Sequence, residues 1–141
     1  MIGVVATVTG PAFPFIMKEF AIPLGLLGLL ASAWNIGYLL TPVGGIISDR
    51  YGEPVVLAAS FITIGTAIGL ASKAPDYLML LGLFIAAGIG SAFGEVSMNS
   101  LVTRAYPNRS GFALNALHLF FSMGAFMGPA LAGLLIVTYG D

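Results

Sequence analysis

The sequence predicts an all-α, polytopic membrane protein with five transmembrane helices, and three observations lead there. Hydrophobic residues make up 58% of the 141 residues and charged ones 8%, where a soluble domain carries about 25% charged. The mean hydropathy, +1.01, says the same. The charges also act as punctuation: apart from Glu95, they stand in short groups or at the end, as Lys18 and Glu19, Asp49 to Glu53, Lys73 and Asp76, Arg104 and Arg109, and Asp141. Between them the apolar runs, such as LGLLGLLA at 24–31 and YLMLLGLFIAA at 77–87, do not alternate as the strands of a membrane barrel must. So few charges could not keep a cytosolic enzyme dispersed, and a chain this apolar is not disordered. The 19 glycines and 8 prolines follow no collagen period. A net charge of −1 gives no pull toward nucleic acid. Without cysteine there is no disulfide framework and no thiolate.

The expected spans run over 1–17, 22–47, 54–72, 77–103 and 110–140. Crossing the hydrocarbon takes roughly 20 residues, within about 17–25, and longer spans tilt. The first opens directly at Met1 without a basic leader or a small-residue cleavage site, so it reads as a span rather than a signal peptide. Pro11 and Pro14 should bend it. The second carries Trp34 and Asn35 near its middle, where they either line a cavity or fill volume and bridge helices. Turn formers separate the spans: Gly52-Glu53-Pro54, Ala74-Pro75-Asp76 and Pro107-Asn108-Arg109-Ser110. Asp76 and Ser110 are placed to cap the helices that follow them. Gly65 and Gly69, Gly90 and Gly94, and Gly124 and Gly128 each put two glycines on one helix face, the pattern of close packing in lipid. With the N-terminus inside, Arg50, Arg104 and Arg109 face the cytoplasm against Lys18 and Lys73 outside, a slight bias in the usual direction.

Glu95 lies well inside the fourth span. A carboxylate there costs at least a few kcal/mol if ionised and facing lipid, so it must border a cavity or carry a proton. Either condition suits a proton-coupled site; the competing reading is a neutral Glu that ties two helices together. Asn99 follows one turn later on the same face. On the fifth span Asn115, His118 and Ser122 draw a polar stripe, which lines a cavity or serves helix packing. One His and scattered serines make no Ser-His-acid set. His118 and Glu95 alone are too few ligands for a metal, and Gly88-Ile89-Gly90 lacks the lysine of a phosphate loop. No enzyme activity and no cofactor are expected.

Between the second and third spans, Gly45-Ile46-Ile47-Ser48-Asp49-Arg50-Tyr51-Gly52-Glu53-Pro54 resembles the loop signature of the major facilitator superfamily, G-x-L-[AS]-D-[RK]-x-G-[RK]-[RK]. Gly45, Ser48, Asp49, Arg50 and Gly52 match, while Glu53 and Pro54 replace the two basic residues. Gly45 would let helices approach, Gly52 would allow a tight turn, and Asp49 could pair with a cation. The resemblance implies a cytoplasmic gate at Gly45, Asp49, Arg50 and Gly52, and so an N-terminus inside. A longer stretch, with Gly94-Glu95-Val96-Ser97-Met98-Asn99, Ala113 to Ala125 and Gly128-Pro129, is similar to the fourth and fifth helices of the fucose-permease-like branch. That similarity implies sugar binding and proton coupling for Glu95 and Asn99. The branch's acidic partner on the first helix has no counterpart between Met1 and Met17. Gly124, Gly128, Pro129 and Gly133 are also similar to the fifth-helix motif of the superfamily's antiporters.

Such a fold has twelve helices in two halves, each of inverted three-helix repeats, with the solute bound between them. Residues 1–141 would then form most of an N-terminal six-helix bundle, its partners being a small solute, the bilayer of the cell membrane and a C-terminal half outside this sequence. The expected function is a secondary transporter for a small polar solute, a sugar foremost, with Glu95, Asn99, Asn115 and His118 at the solute and proton site. The competing expectation is a small accessory membrane protein that assembles through its glycine faces.

Overall fold

The structure, a computed structural model, describes residues 2–139. Met1 and Gly140, which bound the first and fifth expected spans, lie with Asp141 outside the described residues. Helices α1 (Ile2–Glu19), α2 (Leu24–Ile36), α3 (Thr41–Tyr51), α4 (Glu53–Ala71), α5 (Tyr77–Ala105) and α6 (Ser110–Tyr139) form five rods, because α2 and α3 are joined by a 3-10 segment, Gly37–Leu40. No strand occurs among the described residues. Four rods are long and apolar enough to cross a bilayer: Leu24–Tyr51, Glu53–Ala71, Tyr77–Ala105 and Pro107–Thr138. The remaining rod, α1, has 18 residues, contains Pro11 and Pro14, and ends in Lys18 and Glu19. At about 1.5 Å per residue, the 29 residues of α5 exceed the roughly 30 Å hydrocarbon core, so α5 tilts or emerges from it.

The second rod runs four residues past its expected end, which corrects the placement of Asp49 and Arg50 in a loop: both belong to α3. The reversal into α4 is made by Gly52 alone, at φ 88, a sparsely populated conformation that costs a side-chain-bearing residue about 1–3 kcal/mol. Glu53 already belongs to α4, and Pro54 sits in its first turn, where a missing N–H costs nothing. Asp76 caps α5 by accepting the Met79 N–H at 2.7 Å. The 3-10 turn Pro107–Arg109 runs straight into α6, and no capping bond by Ser110 is found among the described residues. Between α1 and α2 the chain turns at Ala21, φ 48. The Ile22 N–H reaches back to the Met17 carbonyl at 3.2 Å, the closure of a helix end that glycine usually makes.

Helix α5 is the centre of the bundle, packed against α4, the second rod and α6, while α1 packs chiefly on α6. Where α2 meets α5, Ile22, Leu27, Leu30 and Ala33 bury against Leu80 and Phe84. The Trp34 and Phe84 rings meet edge to face, centroids 6.3 Å apart. The Tyr77 hydroxyl donates to the Leu26 carbonyl at 2.7 Å. A Cβ on Gly37 would collide with the Gly88 backbone, and one on Gly88 with the Trp34 carbonyl; the two rods touch backbone to backbone. Lower down, a Cβ on Gly44 would stand 2.6 Å from the Phe93 ring, whereas one on Gly45 would meet only Val96 at 3.8 Å. The close approach expected at Gly45 therefore falls one residue earlier. Gly90 packs on Ile64, Ser60 and Thr63 of α4, and Gly124 and Gly128 pack on Val4 and Thr7 of α1. Gly94 is buried within α5, and Pro129 sits inside α6 next to Gly128. Gly65 and Gly69 have nothing within 4 Å of a Cβ position; the packing face expected there is vacant.

Candidate functional site

The periodicity of α5 puts Glu95 and Asn99 one turn apart, on a face that meets α6 across a cavity of about 170 Å³. Glu95, Asn99 and His118 line it, with Phe61, Met98 and Phe121 as the apolar wall. Gly3 also borders it, and a Cβ there would run into the Phe121 carbonyl, so α1 closes on α6 only because the side chain is absent. The Asn99 Oδ1 is buried and has no hydrogen-bond partner among the described residues. A buried amide oxygen left this way costs about 1–3 kcal/mol, which a water or a solute donor would offset. The cavity thus gathers a carboxyl, an amide and an imidazole in an otherwise apolar wall. Such a set can hold a small polar molecule or exchange a proton with it.

The structure divides the polar stripe of α6. His118 reaches the cavity, Asn115 is exposed and does not line it, and the Ser122 hydroxyl is spent on the His118 carbonyl at 2.9 Å. Positions i and i+3 are about 60° apart on a helix of 3.6 residues per turn, and that offset takes Asn115 out of the cavity. Sequence reasoning missed Tyr38. Its half-buried ring lines a neighbouring cavity with Trp34 and Asn35. The 3-10 segment that begins at Gly37, one residue before Tyr38, sets the position of that ring, and a sequence pattern carries no sign of it.

A second group of polar side chains joins three helices at the C-terminal end of α5. Arg104 pairs with Asp49 of α3 and with Glu53 of α4, each at 2.9 Å. Ser100, one turn earlier on α5, donates to the same Glu53 carboxylate at 3.0 Å. The Glu53 side chain is 9% exposed, against 71% for Asp49. The exposed Asp49 pair is therefore weak, as surface pairs are, and the enclosed Glu53 contact is the firmer of the two. Arg50 takes no part in it; its guanidinium lies 5.6 Å from the centre of the Tyr51 ring. Arg104 and Glu53 did not stand out from the sequence as partners. The signal was present, though, in Ser100 and Arg104 at four-residue spacing on one helix and a lone acid opening the next rod.

Compared with known proteins, the chain matches the family model described as "Major Facilitator Superfamily" over residues 1–140. It is 30% identical over 102 residues to a protein of Lactococcus lactis named as a multi-drug resistance efflux pump homolog, covering 72% of this chain and 25% of that one. It is 24% identical over 130 residues to the hexuronate transporter of Bacillus subtilis, covering 91% of this chain and 31% of that protein. It is 26% identical over 133 residues to the sodium-dependent glucose transporter 1 of Rattus norvegicus, covering 94% and 28%. The chain spans between 25% and 31% of the length of these curated relatives.

Proposed function

Since the chain belongs to the Major Facilitator Superfamily, we propose that it is the N-terminal part of a secondary active transporter that moves a small polar solute by alternating access. The observation that carries this reading is the Glu95 carboxyl, set in the length of α5 and facing a cavity it shares with Asn99 and His118. Intramembrane ionisable groups tend to mark solute paths and proton relays. Glu95 exchanges a proton or contacts the solute, Asn99 offers its unpartnered oxygen, and His118 completes the wall. We read the group of Asp49, Glu53, Ser100 and Arg104 as the gate at the cytoplasmic end, a reading under which the N-terminus lies inside. A sugar is the solute this reading favours, in keeping with the relatives named for hexuronate or glucose transport, although other relatives are named for multidrug resistance.

In the protein as its gene encodes it, Glu95→Gln abolishes uptake driven by a pH gradient and leaves solute counterflow intact, because only the coupled proton is lost. Gradient-driven uptake unchanged by the substitution refutes the coupling role. A second reading, export of an apolar compound, is favoured by one observation. A cavity of about 450 Å³ between α1, α2, α4, α5 and α6 is walled by Phe15, Phe20, Trp34 and Phe84, with Glu19 at its edge.

A further inference from the structure

A groove of about 380 Å³ runs in the angle where the second rod turns back into α4, with α5 as its floor. Ile47 and Tyr51 border it from α3, Val55 and Ala59 from α4, and Phe93 from α5. It shares no residue with the Glu95 cavity. Tyr51 and Val55, 60% and 61% exposed, mark its open side. None of the lining residues is charged. Two hydroxyls lie along the α4 wall and both are spent within that helix, Ser60 on the Val56 carbonyl at 2.8 Å and Thr63 on the Ala59 carbonyl at 2.9 Å. A trapped water needs two to four polar partners, and this wall has few to give. What it offers is hydrocarbon surface along α4 from Val55 to Thr63, about 12 Å, a slot for a flexible apolar chain.

The mouth of the groove carries a charge. The exposed Arg50 guanidinium lies over the ring of Tyr51, which is itself part of the wall. Arg50 makes no ion pair among the described residues, because the two acids at this end, Asp49 and Glu53, both go to Arg104. Arg50 and Tyr51 close the span Leu24–Tyr51, so they stand at the level of the headgroups, where tyrosine rings and basic side chains collect. A phosphate diester there would find a guanidinium fork that bonds two oxygens and a phenol hydroxyl that donates. A phospholipid joins such a diester to a long hydrocarbon chain. A zwitterionic headgroup brings its own cation beside the phosphate and offers Arg50 no net charge. A net negative one does, and basic side chains at a membrane surface are drawn to it.

We infer that this groove is a binding site for an anionic phospholipid, with one acyl chain lying along α4 and the phosphate held by Arg50 beside Tyr51. The site is apart from the solute path and does not depend on the transporter reading. In the test, the protein as its gene encodes it is purified in detergent and titrated with dioleoyl phosphatidylglycerol or, separately, dioleoyl phosphatidylcholine. Native mass spectrometry counts the lipids retained. The first phosphatidylglycerol is expected at about a tenfold lower concentration than the first phosphatidylcholine, the worth of one charge-assisted contact. Arg50→Gln is expected to abolish that preference, and Arg50→Lys, which keeps the charge, to retain most of it. Arg109→Gln removes another exposed arginine and is expected to leave the preference within about twofold, well under the tenfold of a lost contact. Ala59→Phe fills the groove from an exposed position, and is expected to remove the preference without lowering the unfolding midpoint.

Equal retention of the two lipids overturns the anionic class. A preference that survives Arg50→Gln, or falls as far in Arg109→Gln, is a general attraction to the charged end and overturns the site. A preference that survives Ala59→Phe overturns the groove as the seat of the chain. Millimolar sn-glycerol 3-phosphate is expected to leave the bound lipid in place; displacement by it means an anion site without a chain and overturns the phospholipid. Because Glu95→Gln is read by uptake and Arg50→Gln by lipid retention, either reading can fail while the other stands.

Discussion

Arg104 holds two carboxylates at once, and its removal would strand the enclosed one. Asp49 faces water and can do without a partner, but the Glu53 side chain is 9% exposed and would keep only Ser100. Breaking an enclosed ion pair from one side is far more harmful than removing both charges. Arg104→Ala is therefore expected to lower the thermal unfolding midpoint in detergent by several degrees, and Asp49→Asn by much less. The double variant Arg104→Ala with Glu53→Gln should recover most of the loss, a coupling that a double-mutant cycle measures. Equal effects of Arg104→Ala and Asp49→Asn would mean that Glu53 is not the residue Arg104 serves. Glu53 stands where the family signature has a basic residue, so in this chain an internal ion pair has replaced a free positive charge.

The helices meet through glycine in a graded way that sequence spacing alone does not rank. Gly88 touches the backbone of Trp34, and a methyl group there cannot rotate away from a carbonyl. Gly88→Ala is expected to push the second rod off α5 and cost about 1–3 kcal/mol or more, as overpacking does. Gly65→Ala and Gly69→Ala face open space and should be neutral or gain up to about 1 kcal/mol of helix propensity. Melting curves of the three variants test the ranking, and a destabilising Gly65→Ala would reveal a partner on that face. The rods themselves were readable from the sequence, because the intervals between Lys18, Asp49, Lys73 and Arg104 match what a bilayer demands. The ends of the rods were less readable. Asp49 and Arg50 look like loop residues by charge, yet Gly52 makes the whole reversal and lets α3 continue through both. The Glu95 and Asn99 face follows from one turn of helix, but the place of Tyr38 depends on the 3-10 segment that begins at Gly37, which leaves no periodic trace.

Across the whole molecule, the contrast between wet and greasy surfaces can be tested directly, because the chain has no cysteine of its own. Phe112, Phe126 and Val137 on α6 are exposed at 77%, 84% and 87%, as side chains bathed in lipid should be. A water-soluble maleimide is expected to label Asn99→Cys in membranes and to leave Phe126→Cys unlabelled, since only a cavity brings water to that depth. Asn99→Cys without labelling would mean a dry pocket. Labelling Asp49→Cys and Lys18→Cys from opposite sides of sealed vesicles would fix the orientation in the same experiment.

The single-residue reversal at Gly52 also bears on biosynthesis. A joint with so little slack ties the second rod closely to α4, so the two are expected to leave the translocation channel together as a helical hairpin. The hinge of that hairpin is one glycine at positive φ.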